Sequence, residues 1–238
     1  MSVKHKIYLV EHKNHIGGRY SVLSEVGMLP AYLMGLSVNM IRKNIRKYFT
    51  IKKNILVDST AKISQIYLSK KINSIIFLNY SPKLENFLYW YQQILAESLG
   101  KKGRGLLPVI STAPKDHHSL LQLYLDGPKD KLFYIFSSDN HNHIKVKNNL
   151  IGSSYKIINN KSLNKIVSAQ KSSFITTLKR KKIPYREFNI KKTNEETIGE
   201  LFAYFISETI LIANLIGVNP FNQPAVEEVK ILTKKFLA

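Results

Sequence analysis

The 238-residue chain contains no cysteine. That removes disulfides, thiolate nucleophiles, iron–sulfur clusters and cysteine-based zinc sites together. Acidic residues are scarce, 16 Asp+Glu against 36 Lys+Arg, and the formal net charge is +20. The start, Met1 to Val10, lacks the apolar core of about 7–15 residues and the small-residue cleavage site of a secretory signal. Its longest apolar tract, Leu201 to Val218, carries Ser207, Glu208, Thr209 and Asn214 through its middle. A bilayer span of about 20 apolar residues tolerates a central Glu poorly. The tract reads as a buried helix with one polar stripe, and the chain as cytoplasmic with no membrane partner. No internal repeat and no low-complexity linker interrupts it.

What is present is enough for a large core. Hydrophobic residues make up 44% and aromatics 11%, and a chain of this length buries about 70% of its unfolded surface. The basic runs are short and scattered, at Lys52-Lys53, Lys70-Lys71, Lys101-Lys102, Lys179–Lys182, Lys191-Lys192 and Lys234-Lys235. None is interleaved with aromatics as in a single-strand groove, so the reading is a solvated surface without a nucleic-acid partner. The charge favours small anionic ligands.

Short apolar runs alternate with helical patterns. Strands are expected within 75–78, 106–110, 132–136 and 183–190. Helices are expected over 54–71, 83–99, 117–125 and 162–181 with Ser162 as N-cap, then from a cap at Thr193 to near Gly217, and over 226–236. This alternation implies an α/β fold, a three-layer α-β-α sandwich with a mainly parallel sheet and additional C-terminal helices. Gly17-Gly18 and Gly103-Arg104-Gly105 mark loops, and 139–149 is the most polar stretch. Ligands of such sheets bind beyond the carboxyl ends of the strands.

Four constellations carry reactive groups. Gly17-Gly18-Arg19-Tyr20-Ser21 combines a backbone open to close approach with an always-charged fork; the plainer reading is a turn with a surface charge. Glu97, in Ala96-Glu97-Ser98-Leu99-Gly100-Lys101, closes a helix bearing Trp90, Tyr91, Gln92 and Gln93. It faces the unfavourable pole of the helix dipole, and partial burial would raise its pKa toward that of a useful base. The alternative is an ordinary surface Glu. His117-His118 at a helix start suits proton transfer or metal ligation, though adjacent histidines point different ways and no His-Glu-x-x-His pattern occurs. His141-x-His143 with Asp139 is a further possible metal pair. In Phe221-Asn222-Gln223-Pro224-Ala225-Val226-Glu227-Glu228-Val229-Lys230, Gln223 and Lys230 lie about two helical turns apart on one face. The plain reading there is a capped amphipathic helix with a solvated lysine.

Taken jointly, these segments resemble phosphoglucose isomerase. Ile16 to Val22 is similar to the family's Gly-Gly-Arg signature, and Trp90 to Lys101 to its Trp…Gln…Ala-Glu-Ser-Leu-Gly-Lys segment. Asp116 to Leu123 with Asp126 to Lys131 resembles its His-bearing helix, and Phe221 to Lys230 its C-terminal signature. His117 stands where the family usually has Gln. The resemblance implies reversible isomerisation of glucose 6-phosphate and fructose 6-phosphate through a cis-enediol, without metal or cofactor. It implies Glu97 as the proton shuttle, Arg19 as stabiliser of the enediolate, and His118 and Lys230 in ring opening. Gly18, Arg19, Gln223 and Lys230 are implied to hold substrate, and His118 to serve a neighbouring subunit in a homodimer. By the same resemblance the chain divides into 1–50, bearing the Gly-Gly-Arg motif and a helix, and 51–238, a C-terminal sugar-isomerase (SIS-like, flavodoxin-like) α/β domain. The family's N-terminal domain, which supplies most phosphate contacts, is expected to be missing. A non-catalytic sugar-phosphate-binding module is the alternative.

Overall fold

The computed structural model describes residues 8–139, 144–147 and 157–237. His141 and His143 lie outside the described residues, as does part of the polar stretch 139–149. The chain folds as two compact units. One gathers the chain up to Lys70, Trp90–Leu106 and everything from Asn194; the other holds Lys71–Tyr89 and Leu107–Thr193.

The second unit carries the sheet. Strands β1 (Ser74–Asn79), β2 (Leu107–Thr112), β3 (Lys131–Ser138) and β4 (Tyr185–Ile190) pair in the order β2-β1-β3-β4, every pairing parallel. The expected α/β class with a mainly parallel sheet is what forms, and each expected strand appears. β1 and β3 are near-continuous runs of buried residues, as central parallel strands require. Ile76 and Leu78 of β1 and Phe133 and Ile135 of β3 share one core with Phe174, Ile175 and Leu178. Those three belong to helix α7 (Leu163–Arg180). Phe133 meets Phe174 at 5.4 Å and Tyr124 at 5.2 Å between ring centroids. Ser162 caps α7 as expected, its side chain accepting the Lys165 N–H.

The helix expected over 117–125 is instead two short ones, α5 (Lys115–Ser119) and α6 (Leu121–Asp126). They break at Leu120, where φ is −120°. α5 is tied to the end of β2, because the Asp116 carboxylate accepts the Thr112 N–H at 2.8 Å and the Ser111 hydroxyl at 3.0 Å. The apolar period runs on across the bend, so periodicity alone does not reveal it.

The first unit is helical. It contains α1 (Glu25–Leu33), α2 (Val38–Arg42), α3 (Lys53–Ser69), the Trp90–Leu99 portion of α4 (Glu85–Leu99), α8 (Glu195–Leu215) and α9 (Pro224–Leu237). The cap of α8 is Asn194, which accepts the Thr197 N–H, and not the expected Thr193. The helix begins at Glu195, so the extended residue just before it, Asn194, is the one whose side chain reaches an unpaired N–H of the first turn. Gly217 at φ +72° ends α8, its N–H reaching Asn214 O while the Val218 N–H reaches Ala213 O. This left-handed stop favours glycine.

By length and composition α8 is apolar enough to cross a membrane. Within the unit its polar stripe is buried: Ser207, Glu208 and Thr209 are nearly inaccessible. Glu208 accepts hydroxyl hydrogen bonds from Tyr204, at 2.7 Å, and from Ser59 of α3. α2 lies against α8 at Gly199, where a Cβ would stand 1.7 Å from the Ile41 carbonyl oxygen. Two backbones meet there, and only glycine permits it.

Candidate functional site

The site is built from three stretches far apart in sequence. The first is a tight 3-10 turn over Gly18–Leu23, with Gly17 extended ahead of it. A Cβ at Gly17 or Gly18 would meet nothing within 4 Å, so packing inside the chain does not demand glycine at either position. The turn directs Arg19 inward, where its side chain is 2% exposed. The Trp90 indole N–H holds the Arg19 carbonyl at 3.1 Å, and Trp90 packs edge-on against Phe202 of α8.

The second stretch is the last turn of α4. Glu97 Oε2 accepts from Arg19 Nη1 at 3.0 Å, and its Oε1 accepts from Gln93 Nε2 at 3.0 Å. A carboxylate near a helix C-terminus meets the negative pole of the macrodipole. Here a guanidinium offsets that repulsion at contact distance. Ser98, next in sequence, accepts from Arg19 Nε at 3.0 Å and is hydrogen-bonded to the Tyr20 hydroxyl at 2.7 Å.

The third stretch is the turn that leads into α9. Arg19 donates to the Gln223 side-chain oxygen, to the Pro220 carbonyl, and to the Asn222 carbonyl at 3.2 Å. The Tyr20 ring packs on Phe221 with centroids 5.6 Å apart. Pro224 begins α9, as the sequence suggests.

Glu97 and Gln223 open on a cavity of about 580 Å³, lined also by Gly100, Lys101, Asn219 and Asn222. The Lys101 ammonium donates to the Asn219 carbonyl. Burial lowers its pKa below the usual lysine value, the Arg19 charge adds to this, and Glu97 opposes it. Burial likewise raises the Tyr20 hydroxyl, against its bond to Ser98. The assembly is a fixed buried cation, a partly exposed carboxylate and an amide around a small-molecule cavity. That arrangement suits a proton transferred beside developing negative charge.

Arg19, Glu97 and Gln223 are therefore brought together. Lys230 stands apart from this hydrogen-bonded group: on α9 its ammonium pairs with Glu227 at 2.7 Å, and the side chain is largely exposed. His118 belongs to the second unit, exposed on α5. Its neighbour His117 is committed inside that unit, with Nε2 2.7 Å from the Tyr80 hydroxyl and the two rings edge to face. The carboxyl ends of the strands do open a cavity of about 630 Å³, lined by Tyr80, Ser137, Ser138, Asp139, Lys171 and Asn189 among others. Asp139 lines it, whereas Gly18, Arg19, Glu97, His118, Gln223 and Lys230 do not. Among the described residues, no three His, Asp or Glu side chains cluster in a way that would hold a metal.

Gln93, Ser98, Tyr20 and Lys101 take part in the site, although the sequence singles out none of them as a site residue. The available signal was spacing. Gln93 and Glu97 are four apart on one helix face, and Tyr20 and Ser98 adjoin Arg19 and Glu97 in sequence.

No family model matches the chain. Among curated proteins, the glucose-6-phosphate isomerase of Mycoplasmopsis synoviae (strain 53) is 34% identical over 226 residues, which cover 90% of this chain and 52% of that protein. A probable glucose-6-phosphate isomerase of Methanococcus maripaludis is 32% identical, covering 91% of this chain and 50% of that one. The chain thus spans about half the length of the curated relatives it matches. Among solved structures, a hypothetical protein of Thermus thermophilus superposes with a TM-score of 0.86 at 24% identity, over 100% of this chain and 59% of that one. A glucose-6-phosphate isomerase of Chlamydia trachomatis gives 0.75 at 17% identity, over 98% and 50%. These two likenesses establish the shared fold. By sequence, the chain is a relative of the glucose-6-phosphate isomerases, matching about half of their length.

Proposed function

We propose that this chain carries the proton-transfer machinery of a glucose-6-phosphate isomerase, interconverting glucose 6-phosphate and fructose 6-phosphate. The observation that supports this most is the meeting of Arg19, Glu97 and Gln223, from three remote segments, beside one cavity. In the open-chain aldose, Glu97 takes the proton from C2 while the C1 oxygen gains one, giving the cis-enediol. The carboxyl group then returns its proton to C1 as the hydroxyl at C2 becomes the ketone. Arg19 lies where its charge lowers the energy of the enediolate. Gln223 and Gly18 help to hold the substrate, and Lys230 with His118 opens the sugar ring. On this reading His118 acts in a neighbouring copy, so the working form is a dimer in the cytoplasm. No metal or cofactor is needed, since the reaction moves only protons and an electron pair within one molecule.

The span of about half the relatives' length favours a second reading for the chain on its own, a sugar-phosphate-binding module without turnover. One experiment separates the two. The chain is mixed with a polypeptide carrying the remaining half of a relative, and loss of deuterium from C2-labelled glucose 6-phosphate is followed. The isomerase reading expects exchange that rises with the added half and falls about 10²–10⁴-fold in Glu97→Gln, with binding retained. Binding without exchange at any concentration selects the module.

A further inference from the structure

A guanidinium carries five N–H donors and no acceptor. In Arg19 each donor is taken. Nε bonds Ser98, Nη1 bonds Glu97 and Gln223, and Nη2 bonds the Pro220 and Asn222 carbonyls. None is left over for an incoming oxygen. In this state Arg19 offers its charge and its plane, and its hydrogen bonds act on the groups around it. Four of the five acceptors are the parts to be aimed, namely Glu97 and the turn 220–223. The fifth, Ser98, is fully buried on α4 and is itself held at 2.7 Å by the Tyr20 hydroxyl. Tyr20 in turn reaches the Pro220 carbonyl at 3.3 Å and packs on Phe221. The Nε–H lies in the guanidinium plane, so fixing it sets the orientation of both terminal nitrogens.

We propose that Ser98, oriented by Tyr20, is a positioning residue that sets the plane of the Arg19 guanidinium and through it aims the Glu97 carboxylate. The proposal rests on the reading of Glu97 as the proton-transfer group. Ser98 acts through Arg19 and does not touch substrate. Its hydroxyl fills a specific role there that a methyl group cannot, since a buried N–H without an acceptor is costly and finds another arrangement.

The test uses the full chain labelled with ¹⁵N-arginine. Hydrogen exchange of the Arg19 Nε–H is measured in the parent, in Ser98→Ala and in Tyr20→Phe, with circular dichroism confirming that each is folded. Exchange about tenfold or more faster is expected in Ser98→Ala, and a smaller acceleration in Tyr20→Phe, because loss of a protecting hydrogen bond raises the population of open states. With the remaining half of a relative added, kcat should fall in the same order while KM holds. Unchanged Nε–H exchange in both folded variants overturns the proposal, as does a rise in KM at constant kcat. If the parent mixture does not isomerise substrate, the isomerase reading fails, and the exchange measurements still decide whether Ser98 sets the guanidinium.

Discussion

The sheet of the second unit and the polar site of the first are held together in opposite ways. In the sheet, many apolar side chains each make an independent contribution. Ile76, Leu78, Phe133 and Ile135 come from contiguous runs and bury against α6 and α7. In the site, Glu97, Ser98, Pro220, Asn222 and Gln223 all accept from one guanidinium. The first design degrades gradually when residues are changed. The second fails as a group, because a buried cation that loses one partner still needs the others.

The sharpest way to probe this difference is to remove one large side chain from the sheet. Phe133→Ala should cost about 3–5 kcal/mol, read from urea unfolding, since the ring is fully buried between Tyr124 and Phe174. Combined with a change in the separate core of the first unit, such as Ile63→Val, its effect should add to within about 0.5 kcal/mol.

The site should break that rule. A double-mutant cycle of Arg19→Met and Glu97→Gln should show a coupling of about 0.5–3 kcal/mol, with the double variant less damaged than the two single losses sum to. A coupling indistinguishable from zero would mean that the polar groups act independently, and the contrast between the two regions would be lost.

The smallest effect concerns pH. Burial holds the His117 imidazole below its usual range, with Asp116 opposing. Between that lowered pKa and the ordinary one near 6.5, the unfolded chain binds more protons than the folded one. Stability from this group is therefore fully present above about pH 6.5 and is lost as pH falls toward the folded pKa. The melting temperature should drop between pH 7.5 and 5.0, and the drop should be shallower in His117→Gln. Equal slopes would show that the imidazole and Tyr80 contribute nothing to acid sensitivity.

How much of this is legible in the sequence depends on the distance over which the signal acts. All four strands are readable, because apolar runs such as Ile75 to Leu78 record their own burial. The order β2-β1-β3-β4 is not, since strand neighbours are chosen by crossovers that leave no local mark. Ser162 is readable as a cap because the chemistry is three residues long. Thr193 and Asn194 are both capping residues, and only the backbone path decides between them. No composition shift marks Lys70 or Leu106, where the chain passes between units.

The site divides along the same line. Arg19, Glu97 and Gln223 stand out through joint resemblance to one family; none of the three is persuasive alone. Ser98 and Tyr20 escape notice because their role depends on the direction of one N–H, which no spacing rule encodes. The pairing of Lys230 with Glu227 was available from their three-residue separation on a helix.

The first unit is assembled from pieces at both ends of the chain and one in the middle. During synthesis the sheet therefore has all four strands in hand once residue 190 has emerged. Arg19 must wait for Pro220, Asn222 and Gln223, which are made about two hundred residues later. Until those residues are made, a positive group destined for burial remains without its final acceptors, and its keyhole closes only when they have left the ribosome.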